Sequence, residues 1–290
     1  MRTQSKETVD YVFESLNDFA DYVSTTPVAA RWMGRDAGLS SADTSDDDWE
    51  WHGGATLEDA VALARDGWPE GREEFAGRLM DAAAAKTSQG RSEMFELSVA
   101  GLRPDIGAYC AGAPECMLQV SAGADVTARV VYLTVGLSNS CTVQPAAVRN
   151  WGAAVCILID SIEAQDQSVE LTGAFSSFGG GRKSPGTKGY TVNTDVLLKA
   201  AGAPLDVDCV AFAMAHGGMH RRMQFRLIET DDVLYDGHGD AYGTSRTPST
   251  MDARAVLIPS ITNGGFAQAA ATLEGAIEAV CETYDKAVSQ

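Results

Sequence analysis

Hydrophobic positions along this chain recur with two different periods, and the change from one to the other organises it. Val9, Val12, Phe13, Leu16, Phe19, Ala20 and Val23 stand at helical spacing and predict a helix over 9–23. Residues 36–54 are polar and acidic and read as a linker. Thr56 then opens a short helix, TLEDAVALARDG, with Asp59 completing a capping box and Gly67 as the stop. Pro69 fits the first turn of a further helix over 70–87. Residues 1–92 therefore read as a helical N-terminal region. From about Met94 strands and turns take over, and 93–290 reads as an α/β domain. Met94–Ala100 and Met117–Ser121 are strand candidates.

The clearest pattern lies between Arg129 and Phe175: a buried strand, a serine-rich turn, a long helix and a second buried strand. The helix, Pro145–Ala164, carries Val148, Trp151, Val155, Leu158, Ile159 and Ile162 on one stripe. That order is a βαβ crossover, and a ligand in such a fold usually sits at the turn after the first strand, here Gly136–Thr142. Further on, Val192–Ala201 reads as a short element and Leu205–Met214 as either a strand or a buried helical turn. Met223–Glu229 and Ala255–Pro259 read as strands, and Phe266–Val288 as a final helix. The fold class expected is α/β, with a mixed, largely parallel sheet flanked by helices.

The segment LTVGLSNSCTV (133–143), with its helix and the following VELTGAF, resembles the opening of a von Willebrand factor A-like domain, within the broader Rossmann-like class. Such domains place Asp-x-Ser-x-Ser after the first strand to hold a divalent metal. Ser138 and Ser140 match the two serines, but Gly136 stands at the aspartate position. The resemblance thus implies a metal site that has lost its one charged ligand, and two hydroxyls hold a hard cation weakly. Taken alone, the two serines read as caps for the turn or the helix that follows. Three other segments, WHGGATLEDAVALARDGWPEG (51–71), VRNWGAAVCILIDSIEA (148–164) and AFAMAHGGMHRRMQF (211–225), resemble phage-encoded proteins, among them single-stranded-DNA-binding cofactors of phage RNA polymerase. That resemblance implies single-stranded DNA and a phage RNA polymerase as partners, in the host-cell cytoplasm.

Charge narrows the choice. The formal net charge of −18 disfavours general adhesion to nucleic acid or an anionic membrane, while leaving room for a local basic groove. Residues 1–100 hold 20 acids against 9 Lys and Arg, and residues 101–290 hold 20 against 13. The six cysteines form no Cys-x-x-Cys pair, which suits reduced thiols and a cytoplasmic protein. The N-terminus has no apolar signal core, and no segment reaches the run of about 18 apolar residues that a membrane span needs.

Two clusters carry candidate chemistry. Ser176–Thr191, SSFGGGRKSPGTKGYT, holds Arg182, Lys183 and Lys188 with no acid, bracketed by Phe178 and Tyr190. Cations that track phosphates and aromatics that stack on bases are what single-strand binding needs. Arg221, Arg222 and Arg226 extend the cationic set. The plainer reading is a solvated loop between sheet elements. The spacing is not that of a P-loop.

The second cluster is His216, His220, Asp236, His238 and Asp240, two imidazoles four apart and a third among carboxylates. Gathered in space they would hold a catalytic metal. HGGMH lacks a glutamate, however, and DGHGDAYG reads equally as a hairpin loop. Trp32, Trp49, Trp51 and Trp68 read as tryptophans buried near helix ends. The function expected is therefore a non-enzymatic single-stranded nucleic-acid-binding protein that recruits a polymerase and needs no cofactor. The alternatives are a metal-dependent hydrolase using the His/Asp cluster, and a structural or interaction protein.

Overall fold

The computed structural model describes residues 1–5, 7–34, 38–43, 52–86, 95–98, 103–104, 113–115, 117–120, 130–140, 142–180, 189–239, 242–248, 252–261 and 265–289. It divides the chain differently from the boundary expected after residue 92. Met1–Met80 and Val130–Gln290 form one compact unit, and Asp81–Arg129 another. The smaller unit contains three antiparallel strands, β3 (Phe95–Ser98), β4 (Arg103–Pro104) and β5 (Met117–Val120), in the order β3-β5-β4.

The larger unit is a mixed sheet flanked by helices. Its strands are β1 (Arg2–Gln4), β2 (Thr8–Phe13), β6 (Val130–Gly136), β7 (Ser168–Gly179), β8 (Tyr190–Lys199), β9 (Thr244–Ser245) and β10 (Val256–Ile258). The order is β1-β2-β8-β7-β6-β10, with β9 alongside β7. β10, β6 and β7 run parallel, as do β2 and β8, while β7 and β8 form an antiparallel pair. Between β6 and β7 runs α5 (Pro145–Glu163), so the crossover read from the sequence is present. Its residues are buried almost without interruption from Ala147 to Ile159, because neighbours pack on several sides. The Phe75 ring occupies the space where Gly152 lacks a Cβ, Trp151 meets Phe266 edge-on, and Asn150 donates to the Ala270 carbonyl at 2.8 Å.

The N-terminus departs from the helix expected over 9–23. Val9, Tyr11 and Phe13 are buried in alternation, and this period of two makes Thr8–Phe13 a strand. Helix α1 (Leu16–Thr25) starts only after Ser15, whose side chain accepts from the Asp18 amide. A one-turn helix, α2 (Ala30–Met33), buries Trp32. In α3 (Leu57–Asp66) the expected capping box forms, with Asp59 N donating to Thr56 Oγ1 at 3.1 Å and Thr56 N to Asp59 Oδ2 at 3.0 Å. α4 (Pro69–Lys86) follows.

After β8 the chain turns helical where a strand was expected. α6 (Val207–Ala215) ends at His216, a wide π turn spans Gly218–Met223, and α7 (Gln224–Glu229) and α8 (Asp232–His238) continue. Met219, Met223 and Leu227 recur four apart and are all fully buried, a helical stripe that outweighs the strand-like alternation of 223–229. α8 likewise replaces the hairpin loop read at DGHGD. The final helix is interrupted: α9 (Gly265–Ala269) precedes α10 (Leu273–Val288), which Thr272 caps. Among the described residues no helix is long and apolar enough to cross a membrane.

On the sheet face bearing Asp10 and Val12, Asp195 is 8% exposed. Burial, and then the neighbouring Asp10 charge, push its carboxyl up to about 7. A folded-state value above the unfolded one near 4 means that the fold favours the protonated form. The stability contributed by this group is full in acid and is lost as the pH rises through about 7. Asp195→Asn should therefore melt higher than the parent at pH 8, by an amount on the order of a few kcal/mol, with the gap closing toward pH 4. Thermal melts of both proteins across that range check it, and a gap independent of pH would contradict it.

Candidate functional site: a cleft at the turn after β6

β6 ends at Gly136, opposite Ala174 of β7, which runs on to Gly179, and the turn that leaves β6 opens a cleft. It consists of two adjoining hollows of about 520 and 400 Å³, which share Asn139, Ser140, His220 and Arg221. The larger is floored by Gln224 and walled by Phe175, Phe225 and Tyr242, with Ser176, Ser177, Thr244 and Ser245 at its rim. The smaller lies against Thr142, Gln144, Pro145 and Arg149 at the start of α5, with Trp68 and His216 opposite. This is where the sequence placed a ligand, at Gly136–Thr142.

Local sequence explains the geometry. Gly217 lets the chain pass close to Gly53, where a Cβ would stand 2.6 Å from the Gly53 nitrogen, and a Cβ on Gly218 would press on His216 and Ala60. The π turn then carries His220 and Arg221 onto the wall between the hollows. Gln144, the N-cap of α5, makes no side-chain capping bond; Pro145 has no N–H to cap, and the Ala147 and Val148 amides donate to the Gln144 carbonyl at 3.0 and 3.3 Å.

Among the described residues, no Asp or Glu lines either hollow. The cations there are Arg221, half-buried on the shared wall, and Arg149, whose Nε lies 3.5 Å from Glu74 Oε2. Both histidines are held neutral. Burial, and then the Arg221 charge, push His220 down to about 3; burial, and then Arg149, push His216 down to about 4.

Ser138 and Ser140 are not helix caps. Ser138 Oγ accepts from Ser176 N at 2.7 Å and donates to Ser176 O at 3.0 Å, binding the turn to β7. Ser140 Oγ lies 3.1 Å from Thr142 Oγ1. At Gly136, any Cβ would overlap Ser260 Oγ and come within 2.5 Å of the Ser260 nitrogen. The position that holds aspartate in the metal motif is thus closed to every side chain by Ser260.

The basic cluster is only partly assembled. Arg182, Lys183 and Lys188 lie outside the described residues. The loop expected from Ser176 is shorter than expected, because β7 continues to Gly179 and β8 resumes at Tyr190. Phe178 pairs with Thr191, and Gly179 with Tyr190, so the two aromatics face opposite sides of the sheet and form no common stacking platform. Phe178 lies beneath Arg246 at 4.1 Å, and Tyr190 packs against the core.

Of the three arginines, only Arg221 reaches the cleft. Arg222 is fully buried, donating from Nε to Ala55 O at 2.7 Å and from Nη1 to Ser40 O at 2.9 Å. Arg226 donates to the Val23 and Thr26 carbonyls at the end of α1. Both guanidiniums are engaged within the fold, which corrects their assignment to phosphate.

The His/Asp cluster does not gather. His216 and His220 border one hollow, but His238 is buried against the Ser177 and Leu234 backbones and pushed down to about 4 by that burial. Asp236 is exposed and ion-paired with Arg31, and Asp240 lies outside the described residues. Among the described residues no three His, Cys, Asp or Glu side chains stand close enough to hold a metal ion. Trp32 is buried and Trp68 half-buried, while Trp49 and Trp51 lie outside the described residues.

Sequence reasoning missed Arg149, Gln224, Phe225 and Tyr242. Arg149 carried a usable signal, a cation in the first turns of the crossover helix. The other three come from segments that are remote in sequence from the turn. A family model described as a domain of unknown function, DUF7192, matches residues 2–287. No curated protein and no solved structure matches the chain.

Proposed function

This chain belongs to the DUF7192 family, and we propose that it is a non-enzymatic binding protein for single-stranded nucleic acid, which it receives in the cleft at the turn after β6. One observation carries the reading. In a chain with 40 acids and a net charge of −18, the cleft is lined by no carboxylate among the described residues, while Arg221 and Arg149 line it. In a protein of this net charge, a polar cleft with arginines and no carboxylate among its described lining residues favours an anionic ligand.

Hollows of 400–520 Å³ suit unstacked nucleotides rather than a duplex, and the acidic body disfavours the broad phosphate contact that a duplex makes. The sequence adds Arg182, Lys183 and Lys188 between β7 and β8, next along the chain from Ser176 and Ser177 at the rim. The β6–α5–β7 crossover with Ser138 and Ser140 after its first strand supports a von Willebrand A-like or Rossmann-like relationship. The resemblance to phage polymerase cofactors supports a role in recruiting a phage RNA polymerase to single-stranded DNA.

The test is fluorescence anisotropy of a labelled oligothymidylate, with unlabelled duplex as competitor. Expected is binding that weakens linearly in log[salt], with a slope of roughly −0.7 per phosphate contact, and that duplex competes for poorly. Absence of binding at low salt would overturn the reading.

A further inference from the structure

A third hollow, of about 710 Å³, lies on the sheet face that carries Asp195, and it shares no lining residue with the cleft. Asp195 is 8% exposed, and its carboxyl makes no hydrogen bond or ion pair among the described residues. Strand pairing sets its direction. Thr194, bonded to Gln224 of α7, and Val196 are fully buried on the core face, so Asp195 between them points to the opposite one. Its neighbours on that face are Val12 of β2, Leu197 of β8 and Thr172 of β7, and all four line the hollow. The Asp195 oxygens remain open to solvent there, unlike the closed unpartnered atoms elsewhere in the fold. Glu14, Glu170 and Asp252 are the other carboxylates of the hollow, and Arg254 is its one cation among the described residues. Arg254 is already committed, donating to Asp252 from Nε at 3.0 Å and from Nη2 at 2.6 Å. Glu14, Glu170 and Asp195 thus face the hollow with no cation paired to them among the described residues.

A buried carboxyl without a partner is costly, and a cation seated beside it offsets that cost. The carboxylates do not converge, since among the described residues no three acidic, His or Cys side chains stand close enough to hold a metal ion. The cation that fits is therefore extended, with several charges joined by an apolar chain. Val12, 40% exposed, and the half-buried Leu197 share the face with the carboxylates and suit such a chain. We infer that this hollow is a site for a linear polyamine, whose ammonium groups meet Asp195, Glu170 and Glu14 and whose methylenes lie on Val12 and Leu197. A lysine-bearing peptide offers the same ammonium chemistry. The strands beneath are already bonded to one another, however, and give a peptide backbone no ladder to join. Burial, and then the Asp10 charge, hold the Asp195 carboxyl at about 7, with Glu14, Glu170 and the Asp252–Arg254 pair as the other charged groups around it. An alkyl ammonium stays charged well above that pH, so binding expels a proton from Asp195 and strengthens as the pH rises.

The experiment is calorimetric titration of the full chain with spermidine at physiological salt, between pH 6 and pH 8. Expected is binding at one site that tightens about tenfold over that range. Asp195→Asn should weaken spermidine about tenfold at pH 8 and abolish the gain with pH, while a thermal melt shows it folded. Glu170→Gln should weaken binding and keep the gain. Glu278→Gln removes an exposed charge on α10, controls for general attraction to a protein of net charge −18, and should leave the affinity unchanged. Equal weakening by Asp195→Asn and Glu278→Gln would reduce the binding to that general attraction and overturn the site. An affinity independent of pH, or no binding of spermidine at pH 8, would overturn it as well. Tighter binding of a trilysine peptide than of spermidine would assign the face to a protein partner and overturn the polyamine.

Discussion

Arg221→Ala should lower affinity for single-stranded oligonucleotide about tenfold or more at low salt, and should flatten the dependence of log K on log[salt] by roughly 0.7, the share of one phosphate contact. Arg221 earns this weight by position. It stands on the wall common to both hollows, beside a histidine too buried to be charged at neutral pH, in a cleft with no carboxylate among its described lining residues. A phosphate there meets one guanidinium in a part-buried setting, where a charge-assisted hydrogen bond exceeds its strength in water. Arg149→Ala should act in the same direction, because Arg149 lines the smaller hollow. Both proteins should melt close to the parent, which separates a lost contact from a lost fold. Anisotropy titrations at three salt concentrations settle the matter. An Arg221→Ala protein with unchanged affinity and slope would remove the cleft from the account of binding.

The parts of the fold that were legible are those whose burial follows from neighbours close in sequence. The β6–α5–β7 crossover was legible because a continuous apolar strand and a one-sided helical stripe leave few alternatives, and its turn marked the cleft. Strand β2 was not. Val9, Tyr11 and Phe13 alternate, but Phe13 and Leu16 run straight into α1, and the two periods merge into one apparent helix. The segment 223–229 failed in the opposite direction. Its alternation mimics a strand, and the deciding partner, Met219, lies across a π turn that no residue pattern announces.

Site membership was least legible, because it depends on long-range contacts. Gln224 reaches Thr194, 30 positions away, and Arg222 reaches Ser40 and Ala55, 182 and 167 positions away. In the sequence His220-Arg221-Arg222 is one basic run. In the fold, adjacent arginines have opposite roles, one on the cleft wall and the other in the core.

That contrast yields the other large effect. Arg222→Ala should destabilise the protein by roughly 3–5 kcal/mol, since it leaves the Ala55 and Ser40 carbonyls without their charged donor and opens space for most of a long side chain. At about 2–4 °C per kcal/mol for a domain of this size, the melting temperature should fall by on the order of 10 °C. Arg222→Lys should recover only part of the loss, because an ammonium offers a single point of charge and cannot span two carbonyls as a guanidinium does. The two bonds hold Ser40, within the linker read from the sequence, and Ala55, directly after it, onto the π turn that positions Arg221. Oligonucleotide binding by Arg222→Ala should therefore fall with the folded fraction and recover on cooling, whereas Arg221→Ala stays folded and binds weakly at every temperature. A chemical or thermal melt of Arg222→Ala indistinguishable from the parent would show that the buried guanidinium is dispensable to the fold.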